Sequence, residues 1–275
     1  MADPIVTVID AGVRMRSAAG RELWAFRELL YFLVWRDLKV RYKQTVLGAA
    51  WALIQPFATM VVFSLFFGRL AGIPSDGVPY PVFSYAALVP WTYFSTALAG
   101  GASSLTGSQH LISKVYFPRL LVPMAAIITP LVDAVIALGL LVVLMVWFGV
   151  PAGWPLLWLP GFAILAVLAA TAAGLWLAAL NVKYRDVRYV MPFLLQFWMF
   201  ATPVAYPTSI VPEAWRGVYG LNPMVTVIEG FRWSLIGTPA PSVEMVVASS
   251  VSVVLLLAGG VWYFRRMESS FADVI

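Results

Sequence analysis

Two short charged stretches carry the side chains best suited to recognition. The first, HLISKVYFPR at 110–119, sets Lys114 and Arg119 around Val115, Tyr116 and Phe117. Apolar anchors of this kind fill a partner's pocket while cations pair at its rim. The segment therefore reads as a docking surface for another protein; charges that only mark lipid head groups are the plainer alternative. The second stretch, NVKYRDVR at 181–188, repeats the pattern with Lys183, Arg185 and Arg188. A further basic group, Arg36, Lys39, Arg41 and Lys43, falls inside RELWAFRELLYFLVWRDLKVRYKQT at 21–45.

Bond-making chemistry is not legible. There is no G-x-x-x-x-G-K-[ST] loop to cradle nucleotide phosphates, no H-E-x-x-H, and no grouping of nucleophile, base and orienter. One histidine and no cysteine exclude a His-rich or thiolate metal site. The chain is expected to be no enzyme and to hold no cofactor; if it does uphill work, a separate chain must supply the ATP chemistry. Asp133 stands nearly alone in an apolar run, whereas proton and sodium carriers group several ionisable side chains at broken helices. Its expected role is a satisfied polar contact inside a bundle.

The elements that position these residues belong to a membrane. Of 275 residues, 61% are hydrophobic and 11% charged, with mean hydropathy +0.87, more apolar surface than a soluble fold of this size can hide. Spans are expected at about 50–70, 82–106, 120–148, 156–180, 190–207 and 243–264. The small residues of TALAGGASS at the end of the second permit close helix contact. Ahead of the first span, Leu23, Phe26, Leu30, Leu33, Val34 and Leu38 recur at helical spacing, so residues 21–45 form an amphipathic helix suited to lying along the interface. Residues 202–237 contain four prolines and short amphipathic pieces, too polar for two spans; two short re-entrant helices, covered by protein, fit 213–236 better. No cleavable signal is evident, so the N-terminus is expected to stay in the cytoplasm. From that start the inner segments hold fifteen of the eighteen lysines and arginines, leaving only Arg69, Arg216 and Arg232 outside. The expected fold is an all-α polytopic membrane protein with six transmembrane helices. It comprises a cytoplasmic tail and interfacial helix (1–48), a transmembrane domain (49–265) and a cytoplasmic tail (266–275).

Four separated stretches carry a family resemblance: WRDLKVRYKQTVLGAAWALIQP (35–56), LISKVYFPRLLVP (111–123), NVKYRDVRYVMPFLLQFWMFATPVAYP (181–207) and LNPMVTVIEGFRWSLIG (221–237). In this order they resemble the permease subunit of bacterial ABC exporters for lipid-linked polysaccharides, the ABC-2 type group that exports O-antigen, capsule and teichoic acid. The resemblance implies a homodimer of permeases in the bacterial inner membrane, working with two ATPase subunits that bind ATP and Mg. It implies that residues 21–45 and 109–119 clasp the ATPase, through Lys114, Val115, Tyr116, Phe117 and Arg119, and that 213–236 closes the outer mouth. The implied substrate is an undecaprenyl-diphosphate-linked glycan.

Sugar rings offer apolar C–H faces and a fringe of hydroxyls, so a glycan conduit should present aromatic planes and neutral donors. Trp91, Tyr93 and Phe94, with Phe197, Trp198, Phe200 and Tyr206, are the candidates; aromatic belts and helix packing would use the same residue types. A lipid diphosphate needs cations near the inner surface, and Arg36, Lys39, Arg41 and Lys43 form such a patch, since arginine forks onto phosphate oxygens. Attraction to anionic lipid is the simpler role for the same charges. Rival readings are a permease of the wider family for a lipid or drug, a membrane-embedded glycosyltransferase, and a secondary carrier working without ATP. The scatter of Asp76, Glu213 and Glu229 along the chain argues against the glycosyltransferase.

Overall fold

The computed structural model describes residues 24–43, 48–114, 117–268 and 271, and every regular element among them is helical. The chain opens on α1 (Arg27–Lys43) and enters α2 (Trp51–Phe63), which continues through a wider π-type stretch to Leu70. A connector leads to α3 (Tyr80–Gly107), and a short α4 (Gln109–Lys114) precedes α5 (Leu121–Ile128) and α6 (Leu131–Phe148). The remaining helices are α7 (Leu159–Lys183), α8 (Val187–Phe200), α9 (Glu213–Tyr219), α10 (Pro223–Ile236) and α11 (Val243–Glu268).

Four segments are long and apolar enough to cross a bilayer: Trp51–Leu70, Leu121–Phe148, Trp154–Lys183 and Val243–Glu268. Each coincides with an expected span. The expected second span, α3, is different in kind. Its residues 82–91 are all buried, and it packs against α2, α5, α6, α7, α8 and α10, so protein surrounds it where the others meet lipid. The expected fifth span is helical only over the 14 residues of α8, about 21 Å at 1.5 Å per residue against an apolar layer about 30 Å thick. Beyond Phe200 the chain turns, and residues 202–205 are buried without being helical.

Local chemistry explains the breaks and the crossings. Pro130 lacks an N–H and divides the third span into α5 and α6, where the Thr129 hydroxyl donates back to the Ala125 carbonyl at 2.8 Å. At the α3–α7 crossing, a side chain on Gly101 would meet Ile127 at 3.1 Å and one on Gly174 would meet the same Ile127 at 3.0 Å. The small residues near the end of α3 thus permit the close approach expected of them. α10 is no exposed loop: apart from Glu229 and Trp233, every residue in it is buried, beside α3, α7 and α11.

Buried side chains form two clusters along the bundle. The larger joins α3 to α2, α6, α7 and α10. The smaller gathers Leu33 of α1, Ile112 of α4, Phe117, Leu121 of α5, Val182 of α7 and Phe264 of α11. Lys114, Lys183, Arg265, Arg266 and the cations of α1 adjoin this smaller cluster in sequence, which makes it the basic end. At the opposite end the Tyr80 hydroxyl donates to the Ala205 carbonyl at 2.5 Å, and Ser209 donates to Asp76 at 3.0 Å.

Candidate functional site

The segment read as a docking surface is only partly turned outward. Lys114 is exposed at the end of α4, while Val115 and Tyr116 lie outside the described residues. Phe117 is 7% exposed and packs into the chain's own smaller cluster with Leu120 and Leu121, anchoring the segment inward. Arg119 also turns inward: its backbone amide donates to Glu268 Oε1 at 3.2 Å and its guanidinium donates to the Glu268 carbonyl. In the second charged break Lys183, Tyr184, Arg185 and Arg188 are all exposed. Within these two breaks the outward cations are therefore Lys114, Lys183, Arg185 and Arg188.

α1 carries apolar side chains on two sides. Leu33 is buried, Leu30 and Val34 are half-buried, and Tyr31, Phe32, Trp35 and Val40 are exposed; Leu23 lies outside the described residues. Arg36, Lys39 and Lys43 share one shallow groove with Trp35 and Val40. Within it Arg36 donates to adjacent Asp37 at 2.8 Å and the Lys39 ammonium lies 5.3 Å from the Trp35 ring centre. Arg41 departs from this group. Its guanidinium and the Tyr42 hydroxyl both donate to the Asp133 carboxylate of α6, so Asp133 has the polar contacts expected of a lone intramembrane acid. Burial, then the bond to Asp133, push the Tyr42 phenol up to about 12, which keeps it a donor. Together with Gln55, Thr92 and Thr96 these groups wall a cavity of about 250 Å³ between α1, α2, α3 and α6.

The seven aromatic residues read as a glycan path do not share one surface. Trp91, Tyr93 and Phe94 are buried in α3, where the Tyr93 hydroxyl donates to the Ile127 carbonyl at 3.3 Å and Phe94 meets Trp198 edge-on at 5.0 Å. Trp198 is half-buried and its indole N–H donates to Asn222 at 3.0 Å. The Tyr206 hydroxyl donates to the Phe200 carbonyl at 2.9 Å and lies 2.8 Å from the Tyr219 hydroxyl. Phe197 and Phe200 are 65% and 52% exposed, on the face of α8 that also presents Tyr189 and Phe193. Spacings of four, four and three residues place these four rings along one side of the helix.

Sequence reasoning passed over a heavily bonded side chain among the described residues of the outer half. Arg232 of α10 is 2% exposed. Its Nε donates to the Phe83 carbonyl at 3.2 Å, Nη1 to Pro203 at 2.7 Å and Tyr206 at 3.2 Å, and Nη2 to Val204 at 2.8 Å. The guanidinium carbon lies 3.5 Å from the Phe83 ring centre. Burial draws its pKa down to about 9, above physiological pH, so it remains a cation. Burial pushes the nearby Glu229 carboxyl up to about 7 despite the pull of Arg232. The signal available in sequence was a charged pair inside the apolar run VTVIEGFRWSLIG.

Among the described residues no three His, Cys, Asp or Glu side chains come together as metal ligands. The arrangement offers docking, shielding and aromatic surfaces. Comparison with known proteins agrees with that character. A family profile described as ABC-2 type transporter matches residues 28–236. The chain is 35% identical over 259 residues to the O-antigen export system permease protein RfbA of Myxococcus xanthus, covering 93% of this chain and 98% of that one. It is 22% identical to the RfbA permease of Klebsiella pneumoniae over 90% of this chain and 95% of the relative. With the polysialic acid transport protein KpsM of Escherichia coli it shares 23% identity over 85% and 92% of the two chains.

Proposed function

The chain belongs to the ABC-2 type transporter family, and from that premise we propose that it is the permease subunit of an ATP-driven exporter of an undecaprenyl-diphosphate-linked polysaccharide, O-antigen foremost. The observation that carries the substrate class is the 35% identity, sustained over 93% of this chain, to an O-antigen export permease. The similarity to a polysialic acid transport protein favours a capsular polysaccharide as the second reading.

In this reading six spans cross the bacterial inner membrane: the four long apolar segments, the protein-enclosed α3, and α8 completed by the turn at 201–206. α9 and α10 are a re-entrant pair at the outer mouth. The basic end faces the cytoplasm with both termini, as the distribution of lysine and arginine favours. A partner ATPase, which binds ATP and Mg, docks on α4 and the 183–188 break through exposed Lys114, Lys183 and Arg185. Two permeases and two ATPases make the working unit; the exposed apolar rows of α2 (Trp51, Ile54, Phe57) and α8 support a second copy beside the first. Arg36, Lys39 and Lys43, in their shared groove on α1, receive the diphosphate, and Phe197 and Phe200 offer ring faces to passing sugars.

Expressing the full chain with its own ATPase in a strain deleted for its O-antigen permease should return O-antigen to the cell surface, read on lipopolysaccharide gels. Intracellular accumulation despite normal membrane levels of both chains overturns the substrate class. Failure of the ATPase to co-purify overturns the subunit assignment.

A further inference from the structure

We propose that Glu268 and Arg119 are positioning residues for energy coupling, and that α11 is the rod that carries movement of the α4 segment to the α9–α10 pair. The inference rests on the reading of 109–119 as the ATPase-facing segment and adds the route by which its movement leaves that segment.

At the basic end, Arg119 holds the last turn of α11 by two separate bonds, one from its backbone amide to the Glu268 side chain and one from its guanidinium to the Glu268 main-chain carbonyl. A cation bonding a carbonyl at a helix C-terminus also answers the negative end of the helix dipole, and bonds to ionised partners are the stronger class. Apolar packing backs the clasp. Phe264 and Phe271 are both fully buried, with ring centres 5.3 Å apart, in the cluster that contains Ile112, Phe117 and Leu121. A helix end that only left the membrane at Arg265 and Arg266 would have no reason to bury a phenylalanine beyond them.

The direct route up the third span is interrupted, because α5 and α6 part at Pro130. α11 is a single helix of 26 residues, about 39 Å long at 1.5 Å per residue. Near its far end the Ser249 hydroxyl donates to the Gly220 carbonyl at 2.6 Å and lies 2.6 Å from the Thr226 hydroxyl, which also donates to the Met245 carbonyl at 3.1 Å. Gly220 closes α9 and Thr226 belongs to the first turn of α10, and all three polar side-chain contacts are buried. One rigid helix is therefore bonded at one end to the segment after α4 and at the other to the outer pair.

The chain contains no cysteine, so a single reporter can be placed cleanly. Gly217 of α9 has open space where a side chain would go, and Gly217→Cys serves as that reporter in the full permease–ATPase complex in liposomes. ATP should change its labelling rate by a membrane-impermeant maleimide several-fold. In the Glu268→Ala background the ratio of rates with and without ATP should fall to about one, while co-purification and ATP hydrolysis persist; Glu268→Gln, which retains an acceptor oxygen, should restore most of the response. Ser249→Ala, at the other end of the rod, should abolish the response in the same way. A normal ATP response in both alanine variants overturns the route, as does a parent complex that hydrolyses ATP without any change at Gly217→Cys. A parent chain that recruits no ATPase defeats the earlier subunit assignment instead.

Discussion

Arg232 of α10 ties two other parts of the chain to its helix through their carbonyls: Phe83 in the first turn of α3, and Pro203, Val204 and Tyr206 in the turn after α8. Removing the guanidinium leaves several buried carbonyls without a donor, which water cannot reach to repair. Arg232→Leu should cost about 3 kcal/mol or more, read as a lowered unfolding temperature of the purified chain, and Arg232→Lys should recover only part because its donors leave a single nitrogen. Equal melting of Arg232→Leu and the parent would show that these carbonyls find other partners. At this scale the presence of charge is legible in sequence and its pairing is not. Arg119 and Glu268 are 149 positions apart, and Arg41 and Asp133 are 92 apart; only the packing of α11 on α7 and of α1 on α5 decides that they meet. Phe117 follows the same rule, since a phenylalanine between charges reads equally well as an outward anchor or an inward one.

Elements were legible where hydrophobicity alone sets them. The four long apolar segments have uninterrupted runs that lipid demands, and their bounds follow from the charges and prolines that end them. α8 is shorter than the expected span for a physical reason: an apolar run to residue 207 looks like a full span, but Pro203 and Pro207 have no N–H to donate to a continuing helix, and the carbonyls of Pro203, Val204 and Tyr206 accept from Arg232. α10 depends on a glycine. A side chain at Gly230 would come within 2.2 Å of the Phe162 ring of α7, so the two helices touch at a point where nothing larger fits. Gly230→Ala should destabilise by about 1–3 kcal/mol through overpacking, visible as a lower melting temperature and faster proteolysis of the 207–242 region. Gly217→Ala, in open space, is the matched control and should melt within experimental error of the parent.

The whole molecule is organised as two buried clusters with a basic end and an opposite end of mixed polarity. That polarity was legible in the count of lysines and arginines, whereas the division of the core into two clusters was not, because it depends on which helix ends converge. Orientation can be measured directly in the cysteine-free chain. In intact cells an impermeant maleimide should label Ala152→Cys and spare Gln109→Cys, which should react once the membrane is opened; the opposite pattern reverses the proposed topology. The enclosure of α3 has a consequence for biosynthesis. A ribosome delivers Tyr80–Gly107 well before Leu159–Lys183, the helix that covers much of it, and until then the small and hydroxyl side chains along α3 have no later helix to pack against. The nascent chain must therefore keep α3 sheltered at the insertion machinery until its later neighbours emerge, so truncations that stop before α7 lose the half-made bundle as well as the missing helix.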